Sequence, residues 1–269
     1  MADFKNAADT ILRYLRVHTH PLAVKYFASA KEFPSDIRRP SMLGMKMAFC
    51  QINTIARKWG WSFAVAPEDV NCAAALLSFG WGDLGAEVNK EEELINFRID
   101  AGYIKDREAA KRNLEMVSSL MDEKKFSSKG LVVAPLDSGV IEVPDVILIY
   151  GNPAQMARLV QSMVYMEGGV IESWAHIGAS CVREMLAPMI ENKAGYVLPG
   201  RGARQLGMVA DDEMIFTIPG AKLDSLLTGL RETHEKRTKY PINQFLFFEP
   251  KFNPTVEKFR EKIRLVKMP

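Results

Sequence analysis

The run "VPDVILIYG" (143–151) is almost uninterrupted apolar sequence rich in branched side chains, and few folds can accommodate it. A strand with one wet face alternates apolar and polar residues, whereas a continuous run is buried on both faces of its sheet. Helices must then cover that sheet on each side. The run is far too short to cross a bilayer. It is followed by Asn152 and Pro153, which read as the cap and first turn of a helix over "AQMARLVQSMVYMEG", itself closed by glycine.

The rest of the chain supplies matching pieces. Phe4, Ala8, Ile11, Leu12 and Leu15 recur at helical spacing, and "PLAVKYF" then reads as a strand. "MLGMKMAFCQINTIARKWG" reads as a helix ending at Gly60, where glycine can take the left-handed conformation. A strand over Ser62 to Ala66 and a helix from about Pro67 to Phe79 are expected next, with Glu68 and Asp69 suiting the helix dipole. Residues 90 to 125 are charged and helical in pattern, and "GLVVAPLDSG" and "MIFTIPGAKLDS" read as further strands.

One spacing recurs. Gly60 precedes Cys72 by twelve residues, and Gly169 precedes Cys181 by twelve. Each copy runs strand, helix, glycine, strand, then a helix opening near a cysteine. The expected fold is therefore α/β, with internally duplicated strand-helix-strand-helix units, mixed sheet flanked by helices, and a pseudo-twofold axis. Residues 1–240 are expected to form one domain from two related halves, about 10–139 and 140–230, with 241–269 as a C-terminal extension. The aromatic stretch "FLFFEP" (245–250) reads as a docking segment covering core or a second copy of the chain.

A length of 269 residues allows a sizeable core, and 48% hydrophobic with 25% charged residues is ordinary globular composition. A net charge of +2 gives no general reason to expect nucleic acid. The N-terminal pattern is amphipathic and carries acidic residues, unlike a secretory signal, so a cytoplasmic protein without membrane spans is expected. Three cysteines in a reducing compartment are buried hydrophobes or working thiols, not a disulfide framework.

Cys50, Cys72 and Cys181 are too widely spaced for a ferredoxin or zinc-ribbon signature. Cys72 and Cys181 nevertheless fall at expected helix N-termini, where amides and the dipole favour thiolate and make a ligand or nucleophile. Core filling remains the alternative. In "LPGRGARQLG" (198–207), the glycines around Arg201, with Arg204 three residues on, make a turn suited to an anion; Arg201, Gly202 and Arg204 are the candidate anion-binding residues. Pairing of the arginines with Asp211 and Asp212 is the alternative. His176, five residues before Cys181, is a candidate fourth ligand or general base.

Taken together, the contexts of the three cysteines, "PDVILIYGNPAQMARLVQ", and "GRGAR" followed by "DDEMIFTIP" resemble domain of unknown function family 169, an uncharacterised archaeal and bacterial family with many members from anaerobes. The resemblance spans about residues 10 to 230 and implies no activity. It does imply that Cys50, Cys72 and Cys181 stand where family members carry cysteine, whereas this chain has Gly200 where some members place a fourth.

The leading expectation is a 4Fe-4S cluster held by Cys50, Cys72 and Cys181 between the two halves, with "GRGAR" neutralising its charge or holding an anionic substrate. Zinc with three cysteines and water is a variant. The alternatives are a non-catalytic module for an anionic small molecule or tetrapyrrole, and a cysteine-dependent enzyme with Cys181 as nucleophile and His176 as base.

Overall fold

The run that demands two covered faces forms a strand, β4 (Val146–Gly151), buried at every residue. The structure is a computed structural model that describes residues 4–120, 128–176, 180–242 and 251–264. β4 lies at the centre of a six-stranded sheet with β1 (Leu22–Phe27) on one side and β6 (Met214–Pro219) on the other. Outside these lie β3 (Gly130–Pro135) and β2 (Phe63–Val65), and, beyond β6, β5 (Gly195–Val197). The order is β2-β3-β1-β4-β6-β5.

Side chains alternate along each strand, so the sheet serves two cores. Ala23, Val132, Ile147, Ile149, Phe216 and Ile218 face one layer, made by α1 (Phe4–Leu15), α6 (Pro153–Glu167) and α9 (Leu223–Glu235). Leu22, Val24, Val133, Leu148, Tyr150 and Ile215 face the other. That second layer holds α2 (Phe49–Trp59), α3 (Ala73–Ser78), a π-helical turn over Val182–Leu186 running into α7 (Ala187–Glu191), and α8 (Arg201–Gln205). Each fully buried branched side chain stabilises the sheet by roughly 1.5–3 kcal/mol, which is why the continuous runs sit centrally. The charged pair α4 (Lys90–Asp100) and α5 (Arg107–Leu120) packs together, and α10 (Pro254–Arg260) is exposed.

Local signals account for several boundaries. Asn152 Oδ1 accepts the Gln155 amide at 2.9 Å, and Gln155 Oε1 accepts the Asn152 amide at 2.7 Å, a reciprocal cap opening α6. Gly60 closes α2 with φ 74°.

Four expectations are corrected. All pairings between the named strands are antiparallel rather than mixed in direction. The helix expected from Met42 begins only at Phe49, because Met47 is held extended in a bridge to Val70. For the same reason the helix expected over 67–79 is split into a 3-10 turn, Pro67–Asp69, and α3. Asp69 enforces the split: its buried carboxylate accepts the amides of Ala66 (2.8 Å) and Ser41 (3.0 Å) and pairs with Arg39 at 2.7 Å. These hydrogen bonds outweigh the opposing effect of burial and hold its pKa below the usual value.

The fourth correction concerns the twelve-residue spacing. A strand, β2, does follow Gly60, but among the described residues none lies between Gly169 and Cys181; the short strand β5 comes after Cys181. The two sides of the sheet still share a strand order, β1-β3-β2 and β4-β6-β5, each with a short outermost strand. In that order Cys181 and Cys50 each stand at the start of the helical segment that leads to the short strand. A shared strand order does not by itself show a duplication. "FLFFEP" lies outside the described residues.

Candidate functional site

All three cysteines reach the second layer from separate elements. Cys50 is in the first turn of α2, Cys72 is the cap residue of α3, and Cys181 immediately precedes the π-helical turn. Each is half-buried against the same core. Cys50 and Cys181 both lie within electrostatic reach of Cys72, and Cys181 within reach of Cys50. The three thiols therefore lie near one another on one layer of the sheet.

The chain around Cys50 is pressed tight. Its Sγ donates to the Gly202 carbonyl oxygen at 3.4 Å. A Cβ at Gly207 would stand 2.8 Å from the Cys50 carbonyl oxygen, so only glycine allows this approach. The Thr54 hydroxyl donates to the Gly207 carbonyl, closing the same seam.

A buried polar group lies beneath the thiols, and it was not singled out from the sequence. Asn53 follows Cys50 by three residues and Glu184 follows Cys181 by three, so each pair lies on one helical face. Asn53 is fully buried and Glu184 is 3% exposed. Asn53 Nδ2 donates to the Tyr150 hydroxyl at 3.5 Å, and Asn53 Oδ1 has no hydrogen-bond partner among the described residues. Arg57, one turn further along α2 and fully buried, forks onto Glu213 at 2.6 and 3.0 Å. Its guanidinium lies 4.2 Å from the Tyr150 ring centre. The legible signal was the spacing Cys-x-x-Asn and Cys-x-x-Glu; Tyr150 and Arg57 had none beyond sitting on a strand and a helix.

Electrostatics reverse one expectation. Burial, then Glu184 and Cys72, push the Cys50 thiol up to about 11. Burial, Glu184 and the other two cysteines push Cys181 well above its ordinary value. Helix starts do not lower these thiols, because withdrawal from water and a neighbouring carboxylate both oppose charge. Burial also lifts Glu184 to about 7, against the pull of Ser180 and Arg57. At neutral pH Cys50 and Cys181 are protonated and poor nucleophiles. The Nε2 of His176 lies 3.0 Å from Asn113 Oδ1.

The other candidates divide. Gly202 touches Cys50 through its carbonyl, not an amide. Arg204 Nη1 donates to the Ala210 carbonyl at 2.7 Å and lies 3.6 Å from Asp211, the internal pairing weighed as the alternative. Arg201 is exposed at the start of α8.

Among the described residues no group of three or more His, Cys, Asp or Glu side chains is spaced to hold a metal ion. Tetrahedral zinc, with Zn–S near 2.3 Å, needs sulfurs about 3.8 Å apart, so a closed single-ion site is not formed by this arrangement. Thiols are the donor type that iron-sulfur clusters take, and the three reach this layer from separate elements.

A family model for domain of unknown function 169, described as uncharacterised ArCR, matches residues 10–229. An uncharacterised protein of Methanocaldococcus jannaschii is 26% identical over 133 residues, 49% of this chain and 55% of that protein. The chain thus spans about half the length of this curated relative. No solved structure matches significantly.

Proposed function

This chain belongs to the domain of unknown function 169 family, and we propose that it binds an iron-sulfur cluster of the 4Fe-4S type through Cys50, Cys72 and Cys181. The observation that supports the reading is that all three cysteines of the chain, at the starts of α2, α3 and the π-helical turn, lie within electrostatic reach of one another, with the buried carboxyl of Glu184 within reach of Cys50 and Cys181. Cysteines serving only as filler have no reason to share one locus.

The chain's own residues set the conditions of binding. Ligation requires thiolate, so protons must leave Cys50 and Cys181, which burial and Glu184 keep protonated. Asn53 Oδ1 offers an acceptor whose partner is not supplied by the described residues. When bound, a cluster with three cysteine ligands supplies an electron or an open iron to a small molecule. No helix among the described residues is long and apolar enough to cross a membrane. A cytoplasmic location and assembly of 1–240 as one domain with a docking tail belong to the same proposal.

The test is anaerobic isolation from cells with full cluster-assembly capacity, followed by iron and sulfide analysis and absorption spectroscopy. About four irons per chain and a broad visible band lost in the Cys→Ser variants are expected. Iron-free, colourless protein from that preparation would overturn the reading.

A second reading, a binding module for an anionic small molecule, is favoured by a cavity of about 990 Å³ lined by Ala73 and Val182, the chain neighbours of Cys72 and Cys181. Retained ligand in a metal-free protein, unaffected by Cys→Ser changes, would support it.

A further inference from the structure

Among its charged wall residues, the cavity beside the cysteines has one guanidinium, and that group has an incomplete set of partners. Arg98, on α4, is half-buried there. Its Nε donates to Asn113 Oδ1 on α5 at 3.1 Å, and its Nη1 to the Leu94 carbonyl at 2.8 Å. The same Asn113 oxygen meets His176 Nε2 at 3.0 Å, so α4, α5 and the 174–176 segment are tied around the guanidinium. Arg98 Nη2 has no hydrogen-bond partner, and Arg98 makes no ion pair, among the described residues. Glu91, Glu93, Glu115, Lys90 and Lys111 also line the cavity; all are exposed except Lys111, which is half-buried, and neither lysine offers the planar fork of a guanidinium.

A guanidinium withdrawn from water normally sits against a carboxylate, because an uncompensated charge there is costly. Burial alone weighs on Arg98 and lowers its pKa from the usual value. The rest of the wall is largely apolar, with Leu77, Leu94, Phe97 and Trp174. A cavity of about 990 Å³ is at the upper end of ordinary small-molecule sites.

We infer that this cavity binds a small organic carboxylate, its anionic group paired with Arg98 and its apolar or aromatic body against Trp174 and Leu77. This anion site at Arg98 is separate from the Arg201–Arg204 turn. An Arg–carboxylate pair is charge-assisted and forms in fork geometry, so a neutral isostere leaves the guanidinium desolvated and unpaired. The body of the ligand then lies next to the cysteine locus, where Ala73 and Val182 line the wall. The inference does not depend on the cysteines holding a cluster.

The test is calorimetric titration of the full chain with 2-naphthoate and with neutral 2-naphthamide, on iron-loaded and iron-free protein. Wild-type protein should bind naphthoate at least about tenfold more tightly than naphthamide. Arg98→Gln should bring naphthoate down to the level of naphthamide while leaving naphthamide unchanged. Leu77→Trp, which fills the cavity and leaves Arg98 in place, should weaken both. Equal binding of the two probes by wild-type protein, a naphthoate preference that survives Arg98→Gln, or no saturable binding of either to millimolar concentration overturns the inference. The iron content of the same samples reports separately on the cluster.

Discussion

The Cys50 thiol donates to the carbonyl oxygen of Gly202 at 3.4 Å, across 152 residues of sequence. This contact joins α2, from the β1 side of the sheet, to α8, from the β6 side, and it holds the thiol in a hydrogen bond that favours the protonated form.

The first prediction concerns thiol reactivity. With its pKa raised to about 11, Cys50 is thiol below that value, and its thiolate fraction grows about tenfold per pH unit toward it. Cys181 follows the same direction. In metal-free protein, iodoacetamide labelling of both, followed by peptide mass spectrometry, should be slow at pH 7 and rise steeply to pH 9.5. Complete labelling of Cys50 within minutes at pH 7 would contradict this.

A second prediction follows from Glu184, whose carboxyl is raised from 4.5 to about 7 by burial. The folded protein binds this proton more tightly than the unfolded chain does. The associated stability is fully present below about pH 4.5 and is lost as pH rises through 7. Across pH 5 to 8 the loss should be on the order of 3 kcal/mol. Urea unfolding of Glu184→Gln should show that loss removed, so that the variant gains on wild type with rising pH. Parallel pH profiles for the two proteins would refute the assignment.

The third prediction tests the pair beneath the site. Arg57 is fully buried and forked onto Glu213, whose pKa is lowered by Arg57 and the Ala210 amide against the effect of its burial. Glu213→Ala strands the guanidinium and should destabilise by about 3–5 kcal/mol. Arg57→Met removes the fully buried charge and leaves Glu213, which is partly exposed and keeps the Ala210 amide, so it should cost less. Stability is also expected to fall in acid as Glu213 is protonated, since its depressed pKa contributes only above the unfolded value. An equal or larger loss for Arg57→Met would be the wrong result.

On the opposite layer, a Cβ at Gly229 of α9 would overlap the Ser162 carbonyl of α6. These are backbone atoms and cannot rotate away. Gly229→Ala should push the helices apart and lower stability by about 1–3 kcal/mol in denaturant titration, with the cysteine site unaffected. An unchanged midpoint would show that the helices are not this close.

Much of the frame was legible because its signals are local. The continuous run 143–151 became the central strand, Asn152 with Pro153 became a cap, and Gly60 took the left-handed form. The breaks at 42–48 and 70–72 were not legible, because Met47 pairs with Val70 and Asp69 collects amides from 41 and 66. The Gly-to-Cys spacing misled for the same reason: it is a count along the chain, and strand pairing is decided across it. Arg98 had no signal at all, since a charged helix face gives no hint that one arginine will turn into a cavity.

Composition and periodicity alone determined that the chain builds a covered sheet with helices on both sides, since apolar runs and caps act over a few residues. They also identified the three cysteines as the residues in question. Only the tertiary structure decided that those cysteines lie within electrostatic reach of one another, that Glu184 and Asn53 are buried beside them, and that Cys50 and Cys181 stay protonated. Proximity and burial are properties of packing between distant segments, and a thiol's charge depends on the water and carboxylates that packing leaves beside it.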